Sequence, residues 1–381
     1  MADPAYPAAR TVAEVVRGHF SRYLVAARLQ GRIDLGPEPA AEDIEAIIDT
    51  AFWASLRREE GVTPTISLAL LPPTAAGQAL TFATRLPLQP AALAKLAPAV
   101  ERPGIHLGVW REDGQLAVWG TTRSIPAFCF VLEVIGSGLL VIKHRSEPFG
   151  KFVNIAVLEG DQVKIVDERS SSIPDCPGML KSLLGQVIPA DGGESVNLLV
   201  HLAASMRAHK RGGALLVVPN GSGVPSTWRE SIVEPILYDV EPDFSELADL
   251  MRRESAERRT HEWQDDLRRA VDATAGLTAV DGATIVSRHY DLLAFGAKIA
   301  RRKSHPQVEK VLLTEPIEGH QPQVVTPSQL GGTRHLSAAQ FVQDQPDTLA
   351  LVASQDGKFT VFLWSPCDNI VHAHRIEALL L

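Results

Sequence analysis

The sequence predicts a two-domain protein of mixed α/β and α+β class: an N-terminal α+β domain rich in antiparallel strands, then a C-terminal domain whose mixed sheet is flanked by helices. Its 381 residues, 45% of them hydrophobic, can bury two ordinary cores. Residues 105–166 contain short apolar runs joined by turn signals, which is typical of an antiparallel meander. Beyond about residue 190, predicted strands alternate with predicted helices.

The first half begins with two predicted helices. Thr11 and Glu14 have the spacing of a capping box, so a helix is expected from there to about Leu24. Apolar residues at three- and four-residue spacing predict an amphipathic helix over residues 42–60. Strands are predicted at residues 66–71, 105–110, 116–121, 128–134, 139–143, 152–158 and 163–166, and a short helix at 92–99.

A passage between two domains is predicted near residue 190. The segment 170–177 contains three serines and two prolines, and Asp191-Gly-Gly193 adds a second break. We therefore expect domains at residues 1–190 and 191–381. In the second domain, helices are predicted at 196–209, 244–253, 262–274 and after Leu336; strands are predicted at 214–219, as a hairpin-like pair around Asp281-Gly282, and at 310–313, 349–353 and 359–364.

Composition argues against several classes of protein. A formal net charge of -8 disfavours a general nucleic-acid surface. The three cysteines, Cys129, Cys176 and Cys367, form no CxxC pair, so neither a disulfide framework nor a zinc site is indicated. The most apolar run, residues 128–142, carries Glu133 and is shorter than the ~20 residues of a spanning helix. The N-terminus lacks the pattern of a secretory signal, so we expect a cytoplasmic protein without membrane attachment.

Two segments carry the chemistry. The glycine-rich segment, residues 331–339 (Gly-Gly-Thr-Arg-His-Leu-Ser-Ala-Ala), has the composition of a triphosphate cradle at a helix start. The acidic turn, residues 280–284 (Val-Asp-Gly-Ala-Thr), lies about fifty residues upstream, and Asp281 there is suited to hold a divalent metal or orient a ribose hydroxyl. Each has a simpler interpretation when taken alone: Asp-Gly is a common hairpin turn, and an Arg-His pair is often a surface feature or a helix cap.

In order and separation, the two segments resemble the signature motifs of the diadenylate cyclase (DAC) domain, an Asp-Gly-Ala turn and a Gly-Thr-Arg-His-Arg segment. Residues 211–218, 293–298 and 349–357 resemble further strands of that domain, and the resemblance covers roughly residues 195–370. The preceding region resembles the probable sensor domain called DACNV, through phrases such as residues 51–61 (Ala-Phe-Trp-Ala-Ser-Leu-Arg-Arg-Glu-Glu-Gly).

The resemblance implies an ATP-binding nucleotidyltransferase that makes cyclic di-AMP and depends on Mg²⁺ or Mn²⁺. Homo-oligomers would bring two DAC domains face to face, each presenting one ATP. The resemblance assigns catalysis to Asp281, Arg334 and His335; metal binding to Asp281 and Asp356; and nucleotide binding to Gly282, Ala283, Phe295, Gly296, Gly332, Thr333, Arg334, His335 and Ser354. Within this set we expect His335 to contact phosphate and not to act as a base.

Three positions depart from the family pattern. Leu336 stands where the family commonly has a second arginine, Ser354-Gln355-Asp356 replaces Ser-Glu-Glu, and Val280 stands where some members place a metal-binding histidine. Two interpretations follow: a cyclase controlled by the N-terminal domain, or a degenerate DAC-like module that binds and senses ATP or a cyclic dinucleotide. Cyclisation of other nucleotides, or a linear product, is not separable from the first by sequence. The first domain shows no recognisable cofactor motif, so its ligand stays unidentified.

Overall fold

The computed structural model describes residues 5–58, 61–145, 152–167, 198–219, 227–240, 246–252 and 261–381. The chain divides into two compact units, the first ending at Val166 and the second running from Asp167 to Leu380. In the residues just given, each unit contains one mixed sheet together with helices, which confirms the predicted fold class. The predicted boundary near residue 190 and its flanking breaks lie outside the described residues.

The first unit combines three helices with an eight-stranded sheet in its described residues. The helices are α1 (Ala8–Leu29), α2 (Ala41–Ser55) and α3 (Pro90–Val100). The strands are β1 (Ile66–Leu70), β2 (Leu80–Pro87), β3 (His106–Glu112), β4 (Gln115–Thr122), β5 (Val131–Gly136), β6 (Leu139–Arg145), β7 (Phe152–Glu159) and β8 (Gln162–Ile165). Their order is β2-β4-β3-β1-β5-β6-β7-β8, and β1 and β3 are parallel while the other neighbours are antiparallel.

Helix boundaries in this unit differ from the predicted ones. Helix α1 begins at Ala8, without a side-chain cap, so the predicted capping box at Thr11 lies inside the helix. Helix α2 ends at Ser55, short of residue 60, and the Ser55 hydroxyl donates a hydrogen bond to the Phe52 carbonyl over 2.6 Å. A serine that bonds its own helix backbone favours a helix end. Strand β2 was not predicted, because most of its side chains are exposed and lack the alternation of a half-buried strand.

Alternation along β1 places its apolar side chains on the helical side of the sheet. Ile66, Leu68 and Leu70 belong to the core cluster that contains Phe20 of α1 and Ile47 of α2, and all five side chains are buried. Because the side-chain period of a strand is two, the residues between them face the opposite side. The first unit therefore has a core formed by one sheet face and its helices.

The described residues of the second unit form a nine-stranded sheet. Its helices are α4 (Leu198–Ala208), α5 (Glu246–Arg252), α6 (His261–Leu277), α7 (Pro327–Leu330) and α8 (Thr333–Asp344). Its strands are β9 (Gly213–Val218), β10 (Tyr238–Asp239), β11 (Ala283–Ser287), β12 (Leu292–Ala297), β13 (Val311–Thr314), β14 (Gln323–Val325), β15 (Leu349–Ala353), β16 (Phe359–Ser365) and β17 (Ile370–Arg375). The order is β10-β12-β11-β9-β15-β16-β17-β13-β14, with β9/β11 and β13/β17 parallel.

Both faces of this sheet are covered. Leu216 and Ala350 pack with Ala338 and Phe341 of α8 in one buried cluster. Leu215 and Leu351, which alternate with them, are also fully buried, on the other face. Helix α4 packs against β15, so helices lie on both sides as predicted. No helix among the described residues is long and apolar enough to cross a membrane.

The acidic turn is not a hairpin, and this corrects the sequence prediction. Helix α6 ends at Leu277, and the chain turns through Asp281 and Gly282 directly into β11. The hairpin of this region lies between β11 and β12 instead, closed by residues 288–291. The acidic turn therefore connects a helix to a central strand, which places it at an end of the sheet.

Candidate functional site

A cleft of about 320 Å³ lies at one end of the sheet of the second unit. It is lined by Ala214, Asp281, Gly282, Ala283, Ala297, Lys298, Ile299, Thr333, Arg334 and Ser337. Three of these residues come from the acidic turn and three from the glycine-rich segment. The fold thus brings together two segments that are about fifty residues apart in sequence.

Strand register explains how the cleft forms. Ala283, the first residue of β11, pairs with Ala214 near the start of parallel β9. Ala283 also pairs with Ala297, the last residue of antiparallel β12. Small side chains at these strand ends leave open space, and α8 begins beside them at Thr333.

Two glycines shape the backbone at this end of the sheet. Gly282 has φ 123°, and a Cβ there would lie 2.4 Å from the carbonyl carbon of Gly296. Gly296 has φ 64°, and a Cβ there would lie 2.9 Å from a ring carbon of Tyr238. Both positions require glycine because of the φ angle and the close approach. We infer that they act by shaping the backbone.

Asp281 is the acidic side chain of the described lining. It is 90% exposed, and Lys298 Nζ lies 2.5 Å from its Oδ2. The hydrogen bond and positive charge of Lys298 lower the pKa of the Asp281 carboxyl, and Arg334 lowers it further. The carboxylate is therefore ionised at neutral pH. Lys298 was missed as a site residue, since only the pairing of β11 with β12 brings it to Asp281.

Arg334 lies in the first turn of α8 with its side chain half-buried. A Cβ on Gly212 would lie 2.9 Å from Arg334 Nη1, so the glycine at this position makes room for the guanidinium. Within the described part of the chain, the Arg334 side chain has no hydrogen bond or ion pair. Gly332 at the N-cap supplies no capping side chain, and Thr333 is exposed. A free guanidinium at an uncapped helix start is suited to an anion.

His335 lies beneath the helix start. Its side chain is buried, its ring meets Phe362 edge-on at 6.1 Å, and a Cβ on Gly331 would lie 2.5 Å from Nδ1. Burial, followed by the charge of Arg375, lowers the pKa of His335 to about 4. The ring is therefore neutral at pH 7, and it is not part of the described cleft lining. The predicted phosphate contact stays a prediction, and it would involve an uncharged imidazole.

The other predicted site residues lie outside the described lining. Asp356 pairs with Lys358 over 3.0 Å, and hydrogen bonds from Ser354 and Lys358 lower the pKa of Asp356 to about 2. The ring of Phe295 stacks on Tyr238, with centroids 4.6 Å apart. The fold therefore gathers Asp281, Gly282, Ala283, Thr333 and Arg334 at the cleft; it does not place Phe295, Gly296, Gly332, His335, Ser354 or Asp356 in its lining.

One carboxylate of the cleft is suited to a divalent metal. The described residues contain no group of three or more His, Cys, Asp or Glu side chains that could hold a metal ion. Mg²⁺ bound with a nucleotide needs only one or two protein carboxylates, because phosphates and water complete its shell. Asp281 fits that requirement because its carboxylate is ionised and exposed. The pairing of Asp281 with Asp356 as metal ligands stays a prediction.

Comparison with known proteins gives a family match within the first unit. Residues 33–123 match the family model of the probable sensor domain DACNV, which covers less than half of the chain. This confirms the N-terminal sensor-domain resemblance in part. No curated protein matches the chain. Among the solved structures, a hypothetical membrane spanning protein from Bacillus cereus is similar over 48% of this chain and 63% of its own, with 16% identity and a TM-score of 0.26. That similarity is too low to support an argument.

Proposed function

We propose that the second unit is a nucleotidyltransferase that condenses two ATP molecules into cyclic di-AMP with release of pyrophosphate, under control of the N-terminal sensor domain. The supporting observation is the single cleft that joins the acidic turn to the glycine-rich segment. The reaction itself comes from the resemblance of these segments to the DAC motifs. The match of residues 33–123 to a probable sensor domain agrees with this arrangement.

Each group of the cleft has a role in this proposal. Arg334 and the first-turn amides of α8 bind the phosphates, because a helix start and a guanidinium both favour anions. Gly282 and Ala283 line the cleft, and in this proposal they hold the nucleoside. Asp281 orients the attacking hydroxyl or holds Mg²⁺ or Mn²⁺. The metal would neutralise phosphate charge, and the residues of the chain would position and orient the nucleotide.

The chemistry requires two clefts. The 3′-oxygen of one ATP forms a bond to the α-phosphorus of the other, the bond to the pyrophosphate oxygen breaks, and the hydroxyl proton is released. The same exchange in the opposite direction closes the ring and releases the second pyrophosphate. Each cleft presents one ATP, so we propose a homo-oligomer with second units face to face. A cytoplasmic location, where ATP is present, is part of the proposal.

A binding module is the alternative, and one observation favours it. Asp356, the acid retained from the third family motif, is engaged by Lys358 and Ser354 and lies outside the described lining. Without Asp356, the described lining of the cleft contributes one carboxylate, Asp281. One carboxylate is sufficient for nucleotide binding, but it leaves one acidic group fewer for turnover. In this alternative the unit binds ATP or a cyclic dinucleotide without converting it.

Product analysis separates the two functions. The purified full-length protein is incubated with ATP and Mg²⁺ or Mn²⁺ over a range of protein concentrations, and the products are identified by mass spectrometry. Cyclic di-AMP that is lost in the Asp281→Asn variant supports the cyclase. ATP binding in calorimetry without any dinucleotide at any concentration supports the binding module. A protein that binds neither ATP nor cyclic di-AMP contradicts both.

A further inference from the structure

Lys298 is the second basic side chain in the described lining of the cleft. It directly follows β12, whose last residue pairs with Ala283, so the antiparallel register carries Lys298 to the acidic turn. Its Nζ lies 2.5 Å from Asp281 Oδ2, and it lines the cleft together with Arg334. The described lining thus contains two cations and one acid.

The start of α8 carries one cation, Arg334, where the family that these segments resemble commonly has two. Leu336 stands at the position of the second arginine, and its side chain packs against the hydrophobic core of the second unit. Arg334 is therefore the charged side chain that α8 directs to the cleft. A triphosphate carries several negative charges, and its binding depends on neutralising them. In the described lining, Lys298 is the group available to supply the missing charge.

We propose that Lys298 is the second phosphate-binding cation of this cleft, and that Asp281 holds its ammonium in place until a phosphate group binds. The inference rests on the proposed nucleotide site. Lys298 is 54% exposed and Asp281 is 90% exposed, and ion pairs this exposed are weak. A polyanion competes well against a single carboxylate, and the flexible lysine stem lets the ammonium move without a change in the backbone.

The same movement has a consequence for Asp281. When the ammonium of Lys298 turns to a phosphate, the carboxylate loses the partner that it has in the structure described here. It then becomes available for the attacking hydroxyl or for a metal ion that arrives with the nucleotide. One exposed ion pair thus links phosphate binding to the release of the acidic group.

The test measures ATP binding by calorimetry in EDTA at low ionic strength, so that metal does not contribute. The full-length protein is compared with Lys298→Gln, Lys298→Arg and Lys310→Gln, a control that removes an exposed lysine next to β13. We expect Lys298→Gln to weaken ATP binding about tenfold, as loss of one charge-assisted contact would. Lys298→Arg should keep most of the affinity, and Lys310→Gln should leave it unchanged. The affinities of the wild type and the three variants for inorganic tripolyphosphate should follow the same order.

Repeating the measurement in the Asp281→Asn variant distinguishes a direct contact between Lys298 and phosphate from a role in which Lys298 only offsets the charge of Asp281. If Lys298 contacts phosphate, Lys298→Gln also weakens ATP binding in the Asp281→Asn variant, and by at least as much as in the wild type. If Lys298 only offsets the charge of Asp281, the loss disappears in that background, and the inference is overturned. Thermal unfolding of each variant confirms that it is folded.

The outcome also separates this inference from the proposed function. A wild-type protein that does not bind ATP, or an Arg334→Ala variant that binds it unchanged, refutes the nucleotide site and the inference with it. Wild-type binding that weakens in Arg334→Ala but not in Lys298→Gln refutes the role of Lys298 alone.

Discussion

Replacing Arg334 with alanine tests the proposal that the cleft binds phosphate through this guanidinium. In the described structure the guanidinium is half-buried beside Gly212 and has no hydrogen bond or ion pair to another residue. Its removal therefore leaves no partner unsatisfied, and the fold should be preserved. A charge-assisted contact to phosphate is worth on the order of 2 to 3 kcal/mol, so ATP affinity should fall roughly 30- to 150-fold.

Calorimetry with ATP measures this loss directly. Arg288→Ala controls for the loss of an arginine away from the cleft, because Arg288 is exposed and lies just after the end of β11 opposite the cleft. Unlike Arg334, Arg288 donates a hydrogen bond to the Asp347 carbonyl over 2.6 Å, so any loss of stability in this control is measured beside its ATP affinity. Circular dichroism and thermal unfolding establish that each variant is folded. An Arg334→Ala protein that is folded and binds ATP as the wild type does would show that the guanidinium does not face a phosphate, and the site would have to be sought elsewhere.

Further predictions concern chemistry, backbone, assembly and pH. Asp281→Asn should abolish dinucleotide formation in the mass assay while weakening metal-dependent ATP binding much less, because asparagine tolerates the turn; equal loss of both would contradict this. Gly282→Ala should destabilise the second unit by about 1–3 kcal/mol in chemical denaturation, since the new Cβ would meet Gly296; unchanged stability would refute the close approach. A truncation starting near residue 190 should keep ATP affinity and change turnover or the mass measured by light scattering; lost ATP binding in a folded truncation would place part of the site in the first domain. The specific activity of the full chain should rise with protein concentration, unless the first domain already fixes a dimer. Stability should fall as pH drops from 6.5 towards 4, because the unfolded chain protonates His335, like the buried His106, His144 and His374, before the folded protein does. His335→Gln should remove the His335 part of that loss, and an unchanged slope in denaturant titrations would argue against a buried neutral ring.

The sequence alone determined the class of fold and the identity of the central motif residues. Strand β15 lies at the predicted residues 349–353, because a short apolar run between turn signals has few other structures available. Arg334 and Asp281 were named from residue type and order, and the structure places both at one cleft. Residue type and chain order can predict an anion site without the surrounding architecture, because any anion site needs cations and backbone amides.

Tertiary structure decided what local pattern does not encode. The Asp281-Gly282 pair has the signal of a hairpin, yet it enters a central strand, because β11 pairs in parallel with β9 and buries its whole length there. Burial, and not residue type, makes His335 a neutral ring under the helix start. Lys298 joins the cleft only through the register of β12 against β11. Strand pairing and burial depend on residues that are far apart in the chain. The local sequence around a residue therefore does not reveal its strand partners or how deeply it is buried.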